Sequence, residues 1–244
     1  LSPHQLNPWG LNPLRPVLER LVDFESLRAT AAPRLFVAAT SVLSGRPRIF
    51  TNAELCSDAI LASSCLPQLH RAVEVDGQPY WDGGFSANPP VVALIEGCPA
   101  RDVVLVQINP LAAERAPRTP REIRDRIAEI AFGRPLADEL ERLREASAPT
   151  ISPLAWINPR RRRLVRHRLH LIDGSAELGR LDPRTKVDPT WPLLLDLRER
   201  GWSAADAWLR GDRRAGSTAP PEPVSIGPES GRGPEPGPQE RRTA

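Results

Sequence analysis

The sequence predicts an α/β protein, and three observations carry that prediction. Two short apolar runs, residues 35–40 and 103–108, have the length and side-chain character of strands buried on both faces. Between them, Asp76-Gly77 sits between two short runs that read as the strands of a hairpin. A stretch opened by Asn88-Pro89-Pro90 and closed by Gly97 then reads as a helix leading to the second apolar run. Strand, turn, helix and strand in that order form a βαβ unit, so a largely parallel central sheet is expected.

Each element has its own local reason. Asn12 and Pro13 look like a cap and a first helical position, with Leu14, Leu18, Leu21 and Val22 following at helical spacing. Residues 51–63 place Leu55, Ala59 and Ile60 on a helix that Pro67 stops. In the hairpin, Val73-Glu74-Val75 and Gln78-Pro79-Tyr80-Trp81 flank Asp76-Gly77, which supplies the positive φ angles of a two-residue type I′ turn. Thr119-Pro120-Arg121-Glu122 is a capping box, backed by an apolar stripe of Ile123, Ile127, Ile130 and Ala131. A further helix is expected around Leu136, Leu140 and Leu143, and a late strand over 169–172. Asp188-Pro189 and Ser203-x-x-Asp206 open two terminal helices separated by Gly201. Residues 215–244 hold seven Pro and five Gly with few large apolar side chains, the composition of a disordered tail. The domain is therefore expected over 1–214 and the tail over 215–244.

Composition excludes several classes. At 40% hydrophobic and 26% charged residues, the 244-residue chain is neither collagen, coiled coil nor wholly disordered. A formal net charge of +3 is too mild to require a polyanionic partner. Cys56, Cys65 and Cys98 form no C-x-x-C pair, which supports neither a disulfide framework nor a zinc site. The chain has no Met and opens Leu-Ser-Pro-His, so a fragment or processed product is expected. No run of 18 apolar residues offers a membrane span.

Asp82-Gly83-Gly84 is the triplet with most chemical content. An acid at a strand end, followed by two residues without Cβ, can project its carboxylate into a cleft closely surrounded by backbone. On the triplet alone, an acidic turn without chemistry is the competing reading. The stretch Ala62-Ser63-Ser64-Cys65-Leu66-Pro67, the Asp76-Gly77 hairpin and Tyr80-Trp81-Asp82-Gly83-Gly84-Phe85-Ser86-Ala87-Asn88-Pro89-Pro90 together resemble the C-terminal part of the bacterial patatin-like phospholipase family. The resemblance extends to Asn12-Pro13-Leu14 and Val22-Asp23-Phe24 upstream, and to Val106-Gln107-Ile108-Asn109-Pro110, His170-Leu171-Ile172 and Trp208-Leu209 downstream.

That resemblance implies a three-layer sandwich and a lipid acyl hydrolase working through a Ser-Asp dyad. Asp82 matches the dyad aspartate, with Gly83 and Gly84 supporting it, and Leu66 and Pro67 are expected to line the acyl site. The family carries its serine in G-x-S-x-G on earlier strands, which this sequence does not contain. The nucleophile is thus expected in a missing N-terminal segment, and the 244 residues alone are expected to be inactive. The implied partner is a glycerolipid or other ester, with peripheral membrane contact, no metal or organic cofactor, and a cytoplasmic or peripheral-membrane location. The alternative is a catalytically inactive relative retained as a lipid-binding or interaction module.

The other candidates are weaker. Gly84-Phe85-Ser86-Ala87-Asn88 lacks the closing Gly of a nucleophile elbow, so Ser86 reads as a loop serine. Ser41, Ser44, Ser63 and Ser64 lie in no glycine-flanked turn after a strand. His167 and His170 lack further ligands at metal-binding spacing and read as structural, and a Ser-His-Asp triad is a weaker alternative. Arg160 to Arg163, with Arg166 and Arg168, form a dense basic run. A solvated surface is favoured there over lipid headgroups, and nucleic acid is not expected.

Overall fold

The computed structural model describes residues 1–109, 111–113, 115–148, 157–174, 178, 181, 185 and 190–211. The proline-rich segment 215–244 and Asp188-Pro189 lie outside the described residues. Helices α1 (Pro3–Leu6), α2 (Leu14–Leu21) and α3 (Phe24–Ala29) lead into strands β1 (Phe36–Ser41) and β2 (Pro47–Thr51). Helix α4 (Ser57–Ser63), the hairpin β3 (Val73–Val75) and β4 (Gln78–Asp82), helix α5 (Val91–Gly97) and strand β5 (Asp102–Gln107) follow. The chain continues through α6 (Pro120–Ser147), α7 (Pro159–Val165), β6 (Arg168–Asp173) and α8 (Trp191–Arg210).

Two sheets organise the described residues. The first has order β2-β1-β4-β3 with every pair antiparallel, and the second pairs β5 with β6 in parallel. The α/β class holds, but the expected largely parallel sheet is corrected. The helix after β4 does lead to another strand, yet that strand pairs with β6 rather than returning to β4. Side-chain periodicity specifies strand and helix but not which strands become neighbours.

Local signals explain most elements. Asp76 and Gly77 have φ of 52° and 72°, as the type I′ turn requires. The Asn12 side chain accepts from the backbone N of Leu14 at 3.0 Å and so satisfies the start of α2. Residues 51–63 are not one helix: Thr51 ends β2, residues 52–54 make a 3-10 turn, and α4 starts at Ser57. The Thr51 and Glu54 side chains form a capping box over that short turn.

Thr119 and Glu122 cap α6 reciprocally, with Thr119 Oγ1 accepting from Glu122 N at 3.2 Å. Thr119→Ala is expected to cost about 1 kcal/mol of stability, read as a lowered urea midpoint with unchanged m. The two helices expected here are one, running through Pro135. Leu136, Leu140 and Leu143 bury against α5 and β5 along it, which holds the helix together across the missing proline N–H. By contrast Ile123, Ile127 and Ile130 are 44%, 62% and 52% exposed, so that stripe covers no core among the described residues. The two expected terminal helices are likewise continuous as α8, because one exposed glycine costs only about 1 kcal/mol in a helix of this length.

Two buried clusters result. Ala39, Phe50, Leu55, Ala59, Ala62, Val75 and Tyr80 join the antiparallel sheet to α4. Val91, Ile95, Val103 and Leu105, with the three leucines of α6, join β5 to its helices. The expectation that both apolar runs are buried on two faces is corrected for β5. Its residues alternate, with Val104 and Val106 at 48% and 61% exposure. The cluster with α5 and α6 covers the face of β5 that carries Val103 and Leu105. No described helix is long and apolar enough to cross a membrane.

Candidate active site

The Asp82-Gly83-Gly84 turn lies where the two clusters meet. Strand β1 pairs with β4 so that Ala39 faces Asp82 and Thr40 faces Trp81. The Asp82 backbone N donates to Cys65 O at 2.9 Å, tying the strand end to the segment after α4. Thr40 Oγ1 donates to Asp82 O at 2.7 Å. The backbone of Asp82 is thereby held from both sides.

Its side chain is less constrained. Oδ1 accepts from Gly84 N at 2.7 Å, which caps the 3-10 turn of residues 83–85. Oδ2 receives no hydrogen bond from a described residue, and no described cation pairs with the carboxylate. Burial pushes the Asp82 pKa up from its ordinary value, and the Gly84 N–H opposes that only in part. The group is therefore a half-buried carboxylate with one oxygen open and a raised proton affinity. Such a group is suited to accept a proton from a hydroxyl brought against it.

Both glycines are required by close approach. A Cβ on Gly83 would lie 2.2 Å from the carbonyl oxygen of Ala38, and one on Gly84 would lie 2.4 Å from the Phe132 ring. Phe132 of α6 also stacks at a tilt on Phe85, with centroids 4.6 Å apart. Asn88, expected as a helix cap, instead donates from Nδ2 to Phe132 O at 2.9 Å, and α5 starts at Val91. The long helix is thus pinned over the turn by one ring and one side-chain amide.

Leu66 and Pro67 follow directly on Cys65, whose carbonyl holds Asp82 N, and both are half-buried. Leu66 O accepts from the N–H groups of Leu69 and His70, closing a turn after α4. The Cys65 thiol is buried, donates to Arg71 O at 3.1 Å, and has its pKa pushed up by burial, which describes an inert core thiol.

The serines near the turn have local duties. Ser86 Oγ is 2.7 Å from Thr40 Oγ1. Since Thr40 donates its proton to Asp82 O, the Ser86 hydroxyl is the donor in that pair. Ser64 Oγ bonds to Ile60 O at the end of α4, Ser41 Oγ accepts from Ser44 N, and Ser44 Oγ accepts from Arg46 N. Two histidines also have local partners: His170 Nε2 lies 2.9 Å from Asp102 Oδ1, and His167 Nδ1 bonds to Arg163 O. Hydrogen bonds from Arg168, and then from His170, hold Asp102 down at about 2. No group of three or more His, Cys, Asp or Glu gathers as a metal site among the described residues.

Three residues of the site escaped the sequence reading. Thr40 sits inside an apolar strand, where a hydroxyl gives no positional signal. Phe132 lies 48 positions beyond Gly84, and Asn88 resembles an ordinary cap. Only the packing of α6 over the turn brings Phe132 and Asn88 to it.

No curated protein matches the chain. The family model for patatin-like phospholipase matches residues 7–95, a segment that holds β1 to β4, the Asp82 turn, Leu66 and Pro67. Over residues 7–95 the chain is thus similar to the patatin-like phospholipases, a family of lipid acyl hydrolases.

Proposed function

We propose that this protein hydrolyses carboxyl esters of lipids through a Ser-Asp dyad in which Asp82 is the base. The observation that carries the reading is the state of its carboxylate: half-buried, raised in pKa, fixed through Oδ1 and open at Oδ2. A serine hydroxyl has a pKa far above 7 and becomes a nucleophile only when a positioned base takes its proton. Asp82 removes that proton as the oxygen attacks the ester carbonyl and passes it to the departing alkoxide, so the alcohol leaves, an acyl-enzyme remains and Asp82 is again a carboxylate. Water then attacks the acyl carbon with Asp82 again as base, releasing the fatty acid and restoring the serine. The serine comes from a segment preceding Leu1, and the 244 residues alone are inactive. Leu66 and Pro67, beside the Asp82 backbone anchor, line the acyl site. No metal takes part in this scheme. The substrate is a glycerolipid or related ester, met at a membrane surface.

A second reading has one specific observation in its favour. Asp82 Oδ1 caps its own turn, a duty that a structural acid in an inactive lipid-binding module would also perform. A fluorophosphonate probe separates the two on the gene product translated from its own start codon. The enzyme reading expects one serine to be labelled, and labelling to be lost in Asp82→Asn. Absence of labelling in a folded, full-length product gives the binding module instead.

A further inference from the structure

At the opposite end of α5 from the Asp82 turn, a cleft of about 590 Å³ opens between the α5 C-terminus and α7. That volume falls within the range of about 300–1,000 Å³ typical of small-molecule sites. Five arginines line it: Arg34, Arg101, Arg162, Arg163 and Arg166. The one carboxylate in the lining, Glu96, is already held by Arg160 through two hydrogen bonds of 2.8 and 2.9 Å. Arg34 and Arg163 turn guanidinium N–H groups to the carbonyls of Gly97 and Glu96, which fixes them at the wall. Arg101, Arg162 and Arg166 carry no ion pair with any described residue.

His167 is a second, independent observation. It lines the same cleft, its Nδ1 is bonded to Arg163 O, and its Nε2 is buried with no partner among the described residues. Buried polar atoms are normally paired, and an unpaired one calls for a ligand or a solvent molecule. Gathering five guanidinium groups without matching acids costs electrostatic self-energy, which an anion of high charge density offsets. The planar, forked guanidinium matches the spacing of phosphate oxygens.

We propose that this cleft binds a multiply charged phosphate group, carried either by a soluble phosphorylated compound or by a lipid headgroup. Arg101, Arg162 and Arg166 supply the free forks, and Arg34 and Arg163 form fixed walls. The site stands apart from the Asp82 turn and does not depend on the hydrolase reading.

The test uses the whole chain, with inorganic pyrophosphate followed by titration calorimetry in one arm and vesicle sedimentation in the other. The vesicles are phosphatidylcholine alone, or phosphatidylcholine with phosphatidic acid or phosphatidylserine. The double variant Arg162→Gln/Arg166→Gln is compared with Arg118→Gln/Arg124→Gln, which removes the same charge from exposed positions outside the cleft. Melting curves check that both keep the fold. The expected result is pyrophosphate binding that weakens at least tenfold in the cleft variant and less than twofold in the control. Sedimentation with phosphatidic acid but not phosphatidylserine, lost in the cleft variant, identifies the lipid source. Pyrophosphate binding without sedimentation identifies a soluble one. The proposal is overturned by the absence of binding in both arms or by equal losses in the two variants. It is also overturned if the cleft prefers duplex DNA to pyrophosphate in direct competition, which would make it a nucleic-acid surface.

Discussion

Asp82→Asn in the full gene product is expected to lower ester hydrolysis by about 10⁴-fold, the scale seen when the acid beside a serine nucleophile's base is neutralised in other hydrolases. An amide keeps the geometry, since its oxygen still accepts from Gly84 N, but it cannot take the serine proton. Initial rates on a p-nitrophenyl ester measure the effect, and turnover within tenfold of wild type would remove Asp82 from the base role. The same substitution is expected not to lower the melting temperature at neutral pH. The folded pKa of Asp82 is raised by burial, so its linked stability is greatest at acid pH and is lost as pH rises through the folded pKa. At pH 7 the ionised carboxylate is a cost to folding, and the amide removes it. Activity runs the other way, falling as pH drops through that raised pKa because the protonated carboxyl is no longer a base. Loss of activity with stability retained is the signature that separates a functional acid from a structural one.

Gly83→Ala is expected to have the largest effect on folding. The added Cβ would stand 2.2 Å from Ala38 O and 2.6 Å from Ala38 C, atoms of a central strand that cannot move without breaking its ladder with β2 or β4. Overpacking against fixed backbone should cost about 3 kcal/mol, lowering the melting temperature by roughly 6–12 °C for a domain of this size. Gly84→Ala meets a side chain instead, the Phe132 ring at 2.4 Å. A smaller cost is expected there, and Phe132→Leu should recover part of it in a double-mutant cycle. If Gly83→Ala melts with wild type, the close approach of the turn to β1 is not a constraint. If Gly84→Ala and Phe132→Leu add without coupling, the ring does not govern the position.

The Asp76-Gly77 hairpin, the Thr119 capping box and the extent of the α5 and β6 segments were legible because each rests on neighbours within a few residues. A positive φ, a side-chain cap or a terminating glycine is a local energetic preference, and the chain carries it whatever lies elsewhere. The same locality misled at Gly201 and between Ile130 and Leu136, where breaker residues sit inside continuous helices. There the propensity cost was smaller than the packing and hydrogen bonding on either side.

By itself, then, the sequence determined the α/β class and the hairpin that ends on Asp82. Tertiary structure alone decided that β1 to β4 form an antiparallel sheet while β5 joins β6. It also decided that Phe132 and Asn88 close over the turn, that one carboxylate oxygen is held while the other stays open, and that five arginines from three separate stretches face one cleft. The division follows from range. Dihedral preferences and caps act between near neighbours and are written in short motifs, whereas strand partners, burial and pKa depend on residues tens of positions apart whose approach is fixed only by the packed chain.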